Sequence, residues 1–293
     1  MNKKTILSVI GLTGILLLTG CSGSSRQGSS EPPTLGPPER AEFRQELSET
    51  ASYRRFVRRF DNTHFLYKNS EVYDDHDNLI RCSDVDVNTE AETVTRSYSY
   101  VYNDDGSVNE VCDYSYVSTR TVFTYNENGD TLKTEVYDVD TGDLRSATEN
   151  QYNEQGDLIK SVKTDAYGKE SLLASSKYEY GDNGLASVKY EYYSDDSLKS
   201  TDNYSYDSEN RLVTDECITE DSPVPRQVFT YEYDSSGNIT LKTQTDYNPD
   251  GSVKTVAQMK STYNQSGRII KLENIVDGSV NWYELYDYED IHS

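Results

Sequence analysis

The sequence predicts an all-β protein, an antiparallel meander of about 16 to 18 strands curled into a coil, a wrap or a wide barrel. Three observations predict it. A phrase of tyrosine, Asp or Asn, two loose positions, Gly, one residue and an aliphatic recurs along the chain, as in Tyr233-Asp234-Ser235-Ser236-Gly237-Asn238-Ile239. Repetition of one small unit signals a stacked architecture. Between the copies, apolar and polar residues alternate with the period of two that a half-buried strand shows, as from Ile239 to Tyr247. The chain is also rich in tyrosine, with 26 of 293 residues, which favours strands. Open sheets rarely pass about ten strands without curling, hence the coil or barrel.

The N-terminal twenty residues read as a targeting segment. Lys3 and Lys4 form a positive start and Ile6 to Leu18 an apolar stretch too short for a membrane span. Leu18-Thr19-Gly20-Cys21 resembles the bacterial lipobox, which implies diacylation of Cys21, palmitate included, and a mature chain starting there. Acyl chains at about 0.8 kcal/mol per buried methylene hold a protein on a membrane. In a host with two membranes, Ser22 after the cysteine implies the outer membrane or cell surface. Residues 21–38, with a Ser/Gly run and Pro32-Pro33 and Pro37-Pro38, read as anchor and linker.

Residues 39–60 read as a short amphipathic helix capping the first edge of the sheet. Phe43, Leu47 and Ala51 recur at i, i+4, i+8, and Tyr53, Phe56 and Phe60 at i, i+3, i+7. Arg54, Arg55, Arg58 and Arg59 crowd its end, where they favour the helix dipole or offer a basic contact to lipid headgroups or a partner.

From residue 61 to 293 the pattern is β. The fourth residue after the repeat tyrosine is Gly106, Gly129, Gly156, Gly237, Gly251 or Gly267, with Asp77 and Asn210 in two further copies. These residues tolerate a positive φ and so mark hairpin corners. Seven copies place an aliphatic six after the tyrosine, from Tyr73–Leu79 to Tyr263–Ile269, which predicts that the two face each other across the hairpin. The strands carry Lys, Glu, Gln and Asp where a porin-like barrel needs an outward apolar band.

Tyr-x-Tyr-Asp-x-x-Gly-x-Ile from Tyr231 to Ile239 resembles the YD repeat of the Rhs family. Tyr204 to Leu212 and Tyr263 to Ile269 are similar, and the resemblance runs from about Tyr73 to Tyr288. It implies long sheets that wrap into a hollow shell. Large members carry a C-terminal toxin inside it, and animal relatives use it in adhesion. Here Ser293 follows shortly after Tyr288, so the resemblance implies the repeat fold and surface contact without the toxin.

The chemistry-bearing residues are few. The 51 Asp and Glu against 28 Lys and Arg leave a net charge of −23, which excludes a nucleic-acid partner and a body lying flat on anionic lipid. The histidines are His64, His76 and His292, and no metalloprotease, redox or nucleophile-elbow motif is present. Cys82 and Cys112, two strands apart, lie beyond the roughly 7 Å that a disulfide needs. The expectation is a protein that is not an enzyme and holds no cofactor or metal. Asp138, Asp140 and Asp143, alternating oxygen donors in a turn, are the one candidate for weak calcium binding, although Gly142 falls where an EF-hand needs a ligand.

The remaining candidates are tyrosines sharing a strand face: Tyr98, Tyr100 and Tyr102, Tyr114 with Tyr116, Tyr190 with Tyr192, and Tyr231 with Tyr233. They either fill the inside of the curled sheet or line a surface for a glycan, peptide or protein. The function expected is a lipid-anchored envelope protein whose β-repeat body contacts a glycan or protein. The alternative is a structural or assembly role enclosing a polypeptide. A hydrolase would need paired acids of perturbed pKa.

Overall fold

The computed structural model describes residues 51–291 apart from 62, 116, 221 and 223. The targeting segment, Cys21, the linker and residues 39–50 lie outside them. Eighteen strands follow in order: β1 Ala51–Asp61, β2 Phe65–Asp74, β3 Leu79–Val85, β4 Glu92–Tyr102, β5 Val108–Asp113, β6 Thr119–Tyr125, β7 Thr131–Asp138, β8 Leu144–Tyr152, β9 Leu158–Asp165, β10 Glu170–Tyr180, β11 Ala186–Tyr192, β12 Leu198–Tyr206, β13 Leu212–Thr219, β14 Gln227–Tyr233, β15 Ile239–Tyr247, β16 Val253–Tyr263, β17 Ile269–Val276 and β18 Ser279–Asp290. Each pairs antiparallel with its sequence neighbours, and β1 pairs with both β2 and β18. The sheet is therefore a closed barrel of hairpins, which settles the choice between coil, wrap and barrel.

The expected capping helix is corrected over Ala51–Phe60, which is strand. Here Val57 stands opposite Asn69 on one side and Tyr286 on the other. The helical spacing of Tyr53, Phe56 and Phe60 yields to ladder bonds on both flanks that close the ring, and closing it satisfies the backbone groups an edge would leave unpaired.

The repeat geometry follows the sequence closely. In all seven copies the tyrosine and the aliphatic six residues later are cross-strand partners, from Tyr73↔Leu79 to Tyr263↔Ile269. In the corner after Tyr233, the Asp234 amide donates to the Asn238 carbonyl at 2.9 Å and the Gly237 amide to the Asp234 carbonyl at 3.1 Å. The Asp234 carboxylate accepts the Ser236 and Asn238 amides, and Gly237 takes a φ of 85°, which only glycine adopts without strain. One copy departs from the rest: the corner after Tyr247 sits at the opposite rim, between β15 and β16.

A second bond in each repeat is not visible in the pattern. A tyrosine near the end of each even strand from β4 to β18 donates its hydroxyl to the carbonyl of the first residue of the preceding odd strand. Tyr233 reaches Leu212 at 2.7 Å, Tyr263 reaches Ile239 at 2.9 Å and Tyr288 reaches Ile269 at 2.8 Å. Tyr100, Tyr125, Tyr152, Tyr178 and Tyr206 reach Leu79, Val108, Thr131, Leu158 and Ala186 in the same way. Each corner is thereby stapled to the next, with about 1 kcal/mol net from each bond.

Cross-strand partners share a face, so the register sorts side chains into an inward and an outward set. Buried residues around the ring fall on the same face, among them Glu71, Ser146, Ser161, Ser176, Lys189, Asp202, Phe229 and Glu284, and this is the inside. Near β2 and β3 the outward side is covered too: Ser70 and Ser83 are fully buried there. Charges recur outward, as at Lys133, Glu135, Glu149, Lys160, Lys177 and Glu179. No helix of the described residues is long and apolar enough to cross a membrane.

Eighteen strands at about 4.8 Å each give a perimeter of roughly 86 Å, far wider than two packed sheets need. Among the described residues, buried polar or charged side chains, 13, outnumber buried apolar ones, 10, so the barrel is not built around a continuous oil core. The apolar packing lies near the closure, where Val57, Leu272 and Tyr286 meet Met259, Trp282 and Tyr288.

Candidate functional site

The structure divides the candidate tyrosines. Tyr98, Tyr100 and Tyr102 lie in a row on the inward face of β4, with ring centroids 6.5 and 5.9 Å apart. The Tyr100 hydroxyl is taken by Leu79, and that of Tyr102 donates to the Asp74 carboxylate and accepts from the Asn78 amide at 2.9 Å. Burial pushes the hydroxyls of Tyr98, Tyr100 and Tyr102 above the usual phenol range. Tyr231 and Tyr233 are inward on β14; burial pushes Tyr231 up to about 12, while the Tyr233 hydroxyl is the staple to Leu212. Tyr190 and Tyr192 face outward, and the Tyr190 hydroxyl donates to Glu179 at 2.8 Å. Tyr114 follows β5 beside Cys112. Tyr116 lies outside the described residues. The tyrosines thus form no single surface, and most of the inward hydroxyls act within the wall.

The calcium candidate is not assembled. The Asp138 carboxylate accepts the Asp140 and Thr141 amides at 2.9 and 3.0 Å and pairs with Arg145, which holds it below the usual carboxylate range. Asp140 and Asp143 are exposed. Among the described residues the one group of metal-ligand types that comes together is Asp74, Asp75 and His76. There Asp74 is occupied by the His76 and Asn78 amides and by the Tyr102 hydroxyl. Cys112 and Cys217 carry free thiols, so Cys112 forms no bridge with Cys82.

Two charged clusters on the inward face escaped the sequence reading. At the closure, Arg55 of β1 donates to Glu71 of β2 at 2.7 Å, with the guanidinium 5.1 Å over both the Tyr73 and Tyr286 rings. Four residues further along the same face, Arg59 lies 3.9 Å over Trp282 and 3.4 Å from Glu284, which also accepts from Tyr67. These are cation–aromatic and ionic contacts joining β1 to both β2 and β18.

Across β11 to β15 the second cluster holds Lys189, Glu191, Asp202, Asp215, Cys217 and Lys242. Lys189 pairs with Glu191 and lies 3.9 Å from Asp202. Asp215 stands opposite Tyr204 and Phe229, and one of its oxygens is buried with no hydrogen-bond partner. Burial, reinforced by Asp202, pushes Asp215 up to about 6, and burial also raises Asp202. The same burial pushes the Cys217 thiol up to about 12 and lowers Lys242, which lies 4.6 Å over Phe229. A thiol held protonated by burial is a reluctant nucleophile, and burial disfavours the charged form of both acids. The signal was present in the sequence: Asp202 and Tyr204, like Asp215 and Cys217, occupy alternate positions, so charge falls on the tyrosine face.

A family model described only as an uncharacterised protein matches residues 72–192. No curated protein matches the chain. Among solved structures, the chain is similar to the crystal structure of TcdB2-TccC3-Cdc42, with 12% identity and a TM-score of 0.32 over 74% of this chain and 14% of that one. It is similar to the Photorhabdus luminescens Tc holotoxin pore, with 12% identity and a TM-score of 0.32 over 75% of this chain and 15% of that one. It is also similar to a porin-like protein from Bacteroides uniformis, with 9% identity and a TM-score of 0.40 over 82% of this chain and 96% of that one. The chain therefore spans a small part of the first two and nearly all of the third. Likenesses at these identities concern the fold alone.

Proposed function

We propose that this chain is a non-enzymatic lipoprotein of the bacterial envelope, held on the membrane through Cys21, whose YD-like barrel is a binding body for a protein or glycan. The observation that carries the reading is the closed ring. With β1 paired on both sides, no strand edge is free for a partner to extend. Contacts then fall to side chains on the wall and to the loops at its rims, which suits a rigid surface module better than a strand-capturing chaperone. The tyrosine ladder supports the wall and is not itself the binding surface.

The polar interior favours a second reading, a structural role in which the barrel encloses a polypeptide. The wide ring and the buried Lys189, Asp202, Glu71 and Glu284 support it.

Fractionation of cells carrying Cys21→Ala tests the tether: the protein leaves the membrane fraction, and unchanged sedimentation removes the lipoprotein claim. Protease shaving of intact cells, with a periplasmic control, separates the two roles. Cleavage of the barrel's loops while the control survives supports surface binding, whereas protection of both moves the enclosing role ahead.

A further inference from the structure

The two rims of the barrel differ. Six of the seven repeat corners with an aliphatic partner, Tyr73–Leu79 among them, lie at one rim. The same rim receives the start of β1 and the end of β18, where the Ile291 amide donates to the Ser52 carbonyl at 3.0 Å. The chain from Cys21 therefore enters the wall at the repeat rim. The opposite rim carries the loops between odd and even strands, whose lengths and sequences vary, from the two-residue Asp277-Gly278 to the seven-residue connection over 220–226.

Most of the exposed large apolar side chains sit at that far rim. Val87 is 48% exposed, Val117 47%, Leu144 42%, Tyr167 96%, Tyr193 53% and Val253 56%, each in or beside a different loop. Consecutive far-rim loops are two strand steps apart, about 10 Å, so these groups form an arc along the rim instead of isolated points. Between them stand exposed acids, Asp86, Asp140, Asp143, Asp195, Asp196 and Asp250. Single exposed apolar residues need no explanation, but a row of them on one end of a highly acidic protein does.

We infer that the far rim is the docking surface of the barrel and that its occupant is a protein presenting basic and apolar side chains together. The inference rests on the binding-body reading and specifies its partner. The apolar arc supplies area to be buried, and the interspersed carboxylates meet Lys and Arg while repelling acidic surfaces. Tyr167 and Tyr193 add rings suited to cations and to wet contacts.

The test uses the chain with Cys21→Ala and a fluorescent amphipathic peptide of alternating lysine and leucine as the probe, with neutral dextran as a second probe. Wild-type protein is expected to bind the peptide, more weakly as salt rises. The variant V117S/L144S/Y167S should lose about tenfold in affinity, and L132S/I270S at the repeat rim should keep it. Circular dichroism and melting confirm that both variants keep the barrel. Equal affinity in the far-rim variant, equal loss in the repeat-rim variant, or no peptide binding at all overturns the inference. Dextran binding without peptide binding overturns this partner while leaving the binding body intact. Binding of neither probe removes both.

Discussion

Tyr233 acts on both sides of its strand end. Its backbone pairs with Ile239 across the hairpin, and its hydroxyl reaches back to the Leu212 carbonyl at 2.7 Å. Phenylalanine keeps the ring and removes only the hydroxyl. Tyr233→Phe should therefore lower stability by about 1 kcal/mol, read as a shift of the urea midpoint at unchanged slope. An unshifted midpoint removes the staple as a stabilising element. Asp215 works in the opposite direction. Burial raises its carboxyl to about 6, above the usual carboxylate range, so over that interval the folded state holds the proton more tightly than the unfolded chain. Its contribution is full at low pH and is lost as pH rises through 6, leaving an ionised carboxylate beside Asp202 in a buried wall. Asp215→Asn should stabilise the barrel at pH 7.5 by about 1–3 kcal/mol and give little gain at pH 4. A gain independent of pH, or a loss at pH 7.5, refutes the assignment.

At the scale of the element, β1 shows where sequence reading stops. The corners were legible because each rule is local: glycine or asparagine at a positive φ, aspartate accepting two amides, tyrosine six residues before an aliphatic. The sequence of β1 reads as helix because its two faces both carry charge. Arg55 and Arg59 point inward, Arg54 and Arg58 outward, and no period of two survives in hydropathy. The inward arginines are explained only by Glu71 and Glu284, the second more than 220 residues away, and no local pattern announces such a partner. The alternation of Asp202 with Tyr204 and of Asp215 with Cys217 puts charge on the tyrosine face, but which face closes inward is decided by the ring and by no local pattern. Arg55→Met tests the inward pairing. It leaves Glu71, 4% exposed, without its guanidinium, and should cost about 3–5 kcal/mol, as the breaking of a buried pair does. Arg58→Met removes the outward pair with Asp287, both well exposed, and should cost less than about 1 kcal/mol. Equal effects of the two substitutions, measured by chemical denaturation, contradict the division of β1 into an inward and an outward face.

For the whole molecule, closure depends on a single strand. Every pair of neighbours around the ring is joined by a hairpin except β18 and β1, so β1 both completes the ring and is the place where it can open. Nine residue pairs on the β18 side and a comparable ladder on the β2 side hold it there. Removing β1 would leave β2 and β18 with unpaired backbone groups facing one another across a gap. Bringing them together directly requires both a narrower ring and a parallel pairing, because β2 and β18 each run antiparallel to β1 and so run in the same direction. Exposed edges of this length invite pairing with other copies. A chain beginning at residue 64 should therefore associate into larger species on size exclusion, increasingly so with concentration. A chain beginning at residue 51, which keeps β1, should remain a discrete species across the same range. If the shorter chain is equally discrete and keeps the cooperative melting of the longer one, the ring closes without β1, and the arginine-rich first strand would then have to be accounted for by contacts outside the barrel.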